Sequence, residues 1–388
     1  MEAQSYDGAL DRGLEGVLAC TSRISTIHGT TLLYRGYRIE DLAANAGFEE
    51  VVHLLWEGRL PTRRELDAFA AGLRQAAPLP PSSFGWFHGL PTQVHPMDFL
   101  HAVVAGLSLH DPDANVIEQN ANRRKAIRLT GRLGSIVTAY NRVRSGQWPI
   151  QPDPSKSLAW NFLRGLDRRD PQPQQVRDLD CCLVLHADHE LNASAFSARV
   201  TSSTLSGLYS SVMAAIGTLK GPLHGGANEQ VIQMLLEIGH PAKVDAYLDE
   251  ALSGKRKVMG FGHRVYKEGD PRARVLKAMS QRLTRQANCA QLFEMSAQLE
   301  ERMANEKGLI PNVDFYSATV YYAMKIPTDL FTPLFAASRV AGWCAHVMEQ
   351  YANNRIYRPR ARYTGPTGLA WLPLAARKAG DVRPNVKT

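Results

Sequence analysis

The sequence has 388 residues, of which 44% are hydrophobic and 21% are charged, as is usual for a globular protein with a large core. Its charge of +8 comes from basic residues dispersed along the chain, so it supports a nucleic-acid partner only weakly. No apolar run approaches the roughly 20 residues that span a bilayer, and the first residues lack the pattern of a secretory signal. The five cysteines have no CxxC spacing, and we therefore expect a cytoplasmic protein without a disulfide framework.

The predicted elements are nearly all helices. In chain order, the best strand candidate is TTLLYRGYRI at 30–39, and a helix with a Thr62–Glu65 capping box follows at 61–76. Helical periodicity continues through three further stretches, at 95–110, 181–200 and 201–221. These patterns predict an all-α protein, and its length favours two domains, since single cores rarely grow beyond about 300 residues.

Four polar clusters stand out, namely LHADHELNAS (185–194), GPLHGG (221–226), MGFGHRVYKEGDPR (259–272) and IPNVDFYS (310–317). In the first cluster, two histidines three residues apart share a helical face or a helix end, but no convincing third ligand completes a metal site. In the second, Gly225 and Gly226 remove side-chain bulk beside His224 and leave room for a ligand. Each residue alone also has a structural explanation, since many histidines are hydrogen-bonded structural residues and Asp314 could be a helix N-cap.

Taken together, these clusters resemble the citrate synthase family. The resemblance is carried, in order, by DHELNAS, GPLHGGANE, GFGHRVYKEGDPR, PNVDFYSA and LFAASRVAGWCAHVMEQ with RIYRPRARYTGP. LLYRGYRIEDLA and EEVVHLLWEGRLPT extend it over nearly the whole chain. It implies an almost entirely helical homodimer with an active site in the cleft between two domains. Residues 1–224 and 324–388 would form the large domain, and residues 225–323 the small one.

The resemblance also implies a reaction and the residues that perform it. The family condenses acetyl-CoA with oxaloacetate and hydrolyses the resulting citryl-CoA, with no metal and no further cofactor. Three residues match its catalytic positions: His224, His263 and Asp314. Those that match its oxaloacetate-binding positions are His189, Arg272, Arg339 and Arg358, the last of which would reach into the site of the partner subunit. Those that match positions near CoA are Val258, Gly260, Gly262, Lys267 and Lys307.

The chemistry accounts for these residue types. The methyl group of acetyl-CoA is a very weak acid, so a carboxylate base must act together with a hydrogen-bond donor on the thioester oxygen. We expect Asp314 to remove the proton and His224, kept neutral by a helix dipole, to stabilise the enolate. His263 would polarise the ketone of oxaloacetate and protonate the alkoxide. The arginines would bind its carboxylates.

Other functions stay open on the sequence alone. A 2-methylcitrate synthase shares these motifs but accepts propionyl-CoA, whose extra methylene is worth only about 1–3 kcal/mol of discrimination in an apolar pocket. GFGHRVYKEGDPR and NVDFYSA look more like the motifs of short bacterial citrate synthases. The intact His–His–Asp trio argues against a catalytically silent helical scaffold. The dispersed charge argues against a nucleic-acid binder.

Overall fold

The computed structural model describes residues 11, 13–14, 16–83, 85, 87, 91, 93–254, 256–262 and 269–377. The strands are β1 (Ser25–His28), β2 (Thr31–Tyr34) and β3 (Tyr37–Arg38). The helices are α1 (Ile39–Asn45), α2 (Phe48–Glu57), α3 (Arg63–Ala76), α4 (Pro96–Leu109), α5 (Gln119–Arg144), α6 (Leu158–Asp167), α7 (Pro173–His186), α8 (Ala193–Ser203), α9 (Leu208–Leu219), α10 (Ala227–Ile238), α11 (Val244–Ser253), α12 (Pro271–Gln286), α13 (Ala290–Lys307), α14 (Val313–Ala323) and α15 (Phe331–Ala352). The predicted all-α class is confirmed. Among the described helices, none combines the length and the apolar character needed to cross a membrane.

The chain forms two compact units. One is Ser22–Ile356, which contains the sheet and all the helices named above. The other consists of Met1–Thr21 and Tyr357–Thr388. Its described C-terminal residues are mostly irregular and exposed, with a 3₁₀ turn at Leu374–Ala376. The division into a large domain and a small domain at 225–323 stays a prediction.

The predicted capping box begins α3. The hydroxyl group of Thr62 accepts a hydrogen bond from the Glu65 amide at 3.4 Å, and the Glu65 carboxylate accepts one from the Thr62 amide at 2.8 Å. These bonds satisfy amides that a helix start leaves unpaired. Phe69 and Leu73 are buried on the face of α3 that packs on the core. This prediction from the sequence is confirmed.

The helical run predicted over 181–200 is interrupted. α7 ends at His186, and α8 begins seven residues later along the chain. Asn192 starts the new helix, because its side chain accepts a hydrogen bond at 3.1 Å from an amide in the first turn of α8. Glu190, with φ of 50°, has a left-handed conformation that a helix does not allow. The two histidines of this segment therefore lie at a helix end and in the following loop.

The strand candidate at 30–39 provides two of the three strands, β2 and β3, of an antiparallel sheet with strand order β1-β2-β3. The register of β1 and β2 sets Ser25 opposite Tyr34, which is fully buried. Arg35 and Gly36 both have positive φ and connect β2 to β3 in a two-residue hairpin loop. The sheet thus presents one pair of hydroxyl groups to the helical core from the same face.

α15 is the central helix of the larger unit. All of its residues from Phe331 to Val347 are buried, as expected for a helix that contacts other elements on all sides. At Gly342 the loop between α7 and α8 approaches closely, since the Gly342 amide donates a hydrogen bond to the Ala187 carbonyl at 3.0 Å. A Cβ atom at Gly342 would lie 2.3 Å from Oδ1 of Asp188. The absence of a side chain at this position therefore allows the loop to lie on α15.

Gly342→Ala should destabilise the protein, because the new methyl group would displace either the loop or the helix. We expect the free energy of unfolding to fall by about 1–3 kcal/mol, the usual range for an overpacked core. Gly72→Ala is the matched control, since Gly72 lies within α3 and, apart from its chain neighbours and the backbone of its own helix, no described atom is within 4 Å of its Cβ position. The control should gain up to about 1 kcal/mol. Denaturant unfolding measures both changes, and two equally stable variants would contradict the prediction.

Candidate active site

The loop between α7 and α8 carries His189, which is buried. The side-chain amide of Asn192 donates hydrogen bonds to the carbonyl oxygens of His189, at 3.1 Å, and of Glu190, at 3.3 Å. His186 lies at the end of α7, where burial lowers the pKa of its imidazole to about 3 and keeps it neutral. Within the described ranges, no three His, Cys, Asp or Glu side chains are arranged to hold a metal ion.

His224 lies in a tight turn between α9 and α10. Its amide donates a hydrogen bond to the Gly221 carbonyl at 2.9 Å, and its carbonyl accepts one from the Ala227 amide at 3.3 Å. Burial lowers the pKa of His224 to about 4, and the charge of Arg339 acts in the same direction. The imidazole is therefore neutral near pH 7, with burial, rather than the expected helix dipole, as the main cause.

The glycines of this turn have a different role from the predicted one. A Cβ atom at Gly225 would lie 2.5 Å from the Leu219 side chain, and one at Gly226 would lie 3.2 Å from the Lys220 carbonyl oxygen. The chain itself fills the space that the missing side chains leave. The prediction that these glycines make room for a ligand is therefore wrong, and they are needed to close the turn.

Ser194 is a site residue that the sequence did not reveal. Its Oγ lies 2.9 Å from Nε2 of His224 and 2.7 Å from Oδ1 of Asn192, and it accepts a hydrogen bond from Trp343 Nε1 at 3.0 Å. A hydroxyl group has one hydrogen, which here can go either to the amide oxygen or to the imidazole. The choice fixes which nitrogen of His224 carries the hydrogen.

Asp314 is the second residue of α14 and lies in the interior. The N-cap of this helix is Asn312, whose Oδ1 accepts a hydrogen bond from the Asp314 amide at 3.1 Å, so Asp314 is not the cap. None of the described residues hydrogen-bonds to the buried Oδ1 of Asp314. Burial raises the pKa of this carboxyl group to about 7, while the charge of Arg272 opposes the rise and that of Asp270 adds to it. A buried carboxyl group with such a pKa is suited to proton transfer near neutral pH.

Gly260 and Gly262 run beside the start of α14. The Gly262 amide donates a hydrogen bond to the Ile310 carbonyl at 3.0 Å, and the Asn312 amide donates one to the Gly260 carbonyl at 3.0 Å. Gly260 has a φ of 82°, and a Cβ atom there would lie 2.8 Å from the Phe315 side chain. These contacts bring the backbone predicted to bind CoA next to the helix that carries the buried carboxyl group.

Arg272 lies in the first turn of α12 and forms a buried ion pair. Asp270 caps this helix, and its carboxylate accepts hydrogen bonds from the Arg272 amide at 3.0 Å, from Nε at 2.9 Å and from Nη2 at 2.7 Å. A two-point contact of this kind fixes the orientation of the guanidinium group. Asp270 also offsets part of the charge that Arg272 presents to an anionic ligand.

Arg339 projects from the central helix α15. Its Nε donates a hydrogen bond to the His186 carbonyl at 2.7 Å, and its guanidinium carbon lies 4.7 Å from the ring centre of Phe335. Burial lowers the pKa of Arg339 to about 10, so the group stays charged at neutral pH. Its charge lowers the pKa of both His224 and Asp314. His224 and Asp314 therefore both lie within the electrostatic influence of Arg339, and the three groups form one electrostatic environment.

Five further residues were predicted to belong to the site. His263 and Lys267 lie outside the described residues. Val258 is buried, and Lys307 is exposed at the last residue of α13. Arg358 belongs to the terminal unit and is exposed.

Asp314→Asn should stabilise the protein more at pH 8 than at pH 4. The pKa of this carboxyl group is about 7 in the folded protein against an ordinary value of 3.8, so the folded state binds the proton more tightly. The stability that the protonated group contributes is therefore lost as the pH rises from about 4 to about 7. The amide does not ionise and avoids this loss. Thermal unfolding at the two pH values provides the measurement, and an equal change at both would contradict the raised pKa.

The chain is similar to known proteins over nearly its whole length. Residues 13–360 match the family model described as citrate synthase, C-terminal domain. Citrate synthase 2 of Bacillus subtilis is 49% identical over 367 residues, which cover 94% of this chain and 99% of that protein. A citrate synthase of Haloferax volcanii is 48% identical, with 95% and 100% of the two chains covered.

Two further comparisons bear on the substrate. 2-Methylcitrate synthase 1 of Corynebacterium glutamicum is 39% identical, with 96% of this chain and 99% of that protein covered. The citrate synthase of Thermoplasma acidophilum, solved as a ternary complex with carboxymethyl coenzyme A and oxaloacetate, superposes with a TM-score of 0.90 at 34% identity and covers 95% of this chain and 100% of that one. The chain belongs to the citrate synthase family.

Proposed function

We propose that this protein is a citrate synthase, which condenses acetyl-CoA with oxaloacetate and hydrolyses citryl-CoA to citrate and CoA. The observation that carries the proposal is the buried carboxyl group of Asp314, whose pKa is about 7. It lies in the same electrostatic environment as the neutral imidazole of His224 and the charge of Arg339. A base with a pKa near the working pH is suited to removing a proton from a weak carbon acid.

In the first step, Asp314 takes a proton from the methyl group of acetyl-CoA while His224 donates a hydrogen bond to the thioester oxygen. For this, the Ser194 hydroxyl donates to Nε2 of His224, so that the hydrogen of the neutral ring is on Nδ1 and points away from the serine. The hydrogen bond from Trp343 to Ser194 leaves the hydroxyl hydrogen free to be donated, and the competing acceptor is Oδ1 of Asn192, which already accepts a hydrogen bond from the Ala195 amide. The developing negative charge is then stabilised by a donor that is already in place.

In the later steps, the enolate carbon attacks the keto carbon of oxaloacetate, and the resulting alkoxide takes a proton from His263. Water then adds to the thioester carbonyl, the C–S bond breaks and CoA leaves as its thiol. His189, Arg272 and Arg339 hold the substrate during these steps. Of the two arginines, Arg272 is the more firmly oriented, since Asp270 fixes its guanidinium group at two points.

The assembly belongs to the same proposal. We expect a cytoplasmic homodimer, in which Arg358 reaches into the partner subunit's site. The domains 1–224 with 324–388, and 225–323, would close over the substrates. CoA would lie beside the segment that contains Val258, Gly260 and Gly262, and near Lys267 and Lys307. The contacts of Gly260 and Gly262 with the start of α14 support a place for CoA near Asp314. No metal, nucleic acid or membrane has a part in this function.

Acetyl-CoA is favoured over propionyl-CoA by the order of similarity among the relatives. Those named citrate synthase reach 49% identity, whereas the 2-methylcitrate synthase is 39% identical. Release of thiol from acetyl-CoA and from propionyl-CoA, each with oxaloacetate, tests the proposal. A higher kcat/KM for acetyl-CoA supports it, a higher value for propionyl-CoA makes the protein a 2-methylcitrate synthase, and no thiol release from either refutes both functions.

Asp314→Asn should lower turnover with acetyl-CoA and oxaloacetate by at least about 100-fold, because it removes the base and keeps the size of the side chain. Thiol release measures turnover, and circular dichroism checks that the variant is folded. Near-normal turnover in a folded variant would show that Asp314 is not the base.

Mixed dimers test whether the sites are shared. Dimers made only of Asp314→Asn chains, or only of Arg358→Ala chains, should both be nearly inactive. If Arg358 serves its partner's site, a mixed dimer has one site with both changes and one site with neither. Refolding equal amounts together should then restore roughly a quarter of wild-type activity, since about half of the dimers are mixed. No recovery, in dimers shown to have exchanged chains, would contradict the shared site.

A further inference from the structure

The backbone on the N-terminal side of His189 is held by Tyr34 of strand β2. The Tyr34 hydroxyl accepts a hydrogen bond from the Asp188 amide at 3.0 Å and donates one to the Asp188 carbonyl oxygen at 2.6 Å. Tyr34 and Asp188 are both fully buried. One phenol group thus satisfies both backbone polar groups of the residue that precedes the histidine.

The backbone on the other side of His189 is held by Ser25 of strand β1. Its hydroxyl accepts a hydrogen bond from the Glu190 amide at 2.7 Å and donates one to the carboxylate of Asp188. Ser25 and Tyr34 are directly opposed in the β1–β2 register. A single cross-strand pair therefore contacts the residues on both sides of the histidine.

Buried side chains of α8 and α15 extend these contacts beyond the Asp188 carboxylate. Arg199 donates from Nε to Nδ1 of His346 at 3.1 Å, and because arginine only donates, the imidazole hydrogen must be on Nε2. This nitrogen faces Oδ1 of Asp188 at 3.3 Å. The Asp188 carboxylate therefore lies between a hydroxyl group of the sheet and an imidazole of the central helix.

The loop needs such support because its conformation is unfavourable. Glu190, with φ of 50°, has a left-handed backbone that residues other than glycine rarely adopt. Conformations of this kind persist where surrounding contacts hold them, and they are concentrated at functional sites. Here the contacts are made by Asp188 and Glu190, on both sides of His189.

We infer that the hydroxyl groups of Ser25 and Tyr34 are positioning groups for His189, so that the β1–β2 hairpin is part of the oxaloacetate-binding apparatus. The inference rests on the proposed function, in which His189 contacts oxaloacetate. Ser25 and Tyr34 act through the loop and not on the substrate. Without the phenol group, the amide and carbonyl of Asp188 would be buried and unpaired, and the loop would move to regain partners.

The test compares Tyr34→Phe and Ser25→Ala with two controls. Tyr140→Phe removes another buried phenol group, which donates a hydrogen bond to the Val94 carbonyl oxygen. Both residues are far in sequence from the loop that carries His189. Ser25→Thr keeps the hydroxyl group. The dissociation constant of oxaloacetate is measured by calorimetry without acetyl-CoA, and deuterium exchange is measured for the peptide that contains His189.

Both test variants should weaken oxaloacetate binding about tenfold or more, as expected when buried polar groups lose their partners. They should also speed amide exchange in the peptide, while the KM for acetyl-CoA changes less than twofold. Both controls should bind oxaloacetate as the wild type does. If Tyr34→Phe does not fold, the test compares oxaloacetate binding by Ser25→Ala, which lacks the hydroxyl group, with binding by Ser25→Thr, which keeps it.

A failure of the inference can be distinguished from a failure of the proposed function. Unchanged oxaloacetate binding in the test variants, beside normal wild-type binding, overturns the inference and leaves the proposed function intact. A wild type that neither binds oxaloacetate nor releases thiol overturns the proposed function and, with it, the role given to the two hydroxyl groups. An equal loss of binding in Tyr140→Phe also overturns the inference, because the effect would then be general destabilisation.

Discussion

Burying a carboxyl group costs free energy, and the fold accepts this cost at Asp314, whose buried Oδ1 has no hydrogen-bond partner among the described residues. The position of the group depends on α14, which Asn312 caps through its own side chain. Because the neighbouring asparagine performs the capping, the carboxyl group of Asp314 is not needed for the start of the helix. Gly260 lets a second segment close onto α14 and helps to keep this region packed. The result of this arrangement is a base whose pKa is close to neutrality.

The charges around this group are balanced rather than simply positive. Arg272 is paired with Asp270 at two points and serves as a firmly oriented donor with reduced net charge. Arg339 donates instead to a neutral backbone carbonyl, so its charge is not compensated by that contact. It reaches both Asp314 and His224 electrostatically. The site can therefore attract an anion and still keep its imidazole neutral and its carboxyl group partly protonated.

Features that depend on neighbours in sequence were predictable. The capping box of Thr62 and Glu65 needs only four consecutive residues, and the helical class follows from periodicity. Ser194 was not found because its contact with His224 joins residues 30 positions apart. The glycines beside His224 were misinterpreted because a sequence does not show that Leu219 fills their space. The family motifs predicted the other candidate site residues, but not the groups that orient them.

The support of the His189 loop also has a consequence for how the protein is made. Its partners come from the β1–β2 hairpin near the beginning of the chain and from α15 near the end, so no short fragment contains them all. During synthesis the hairpin is produced long before the loop, and α15 follows long after it. Contacts between such distant segments carry a high loop-closure cost and form late in folding. A nascent chain that stops before α15 can build helices, but it cannot complete the environment of this histidine.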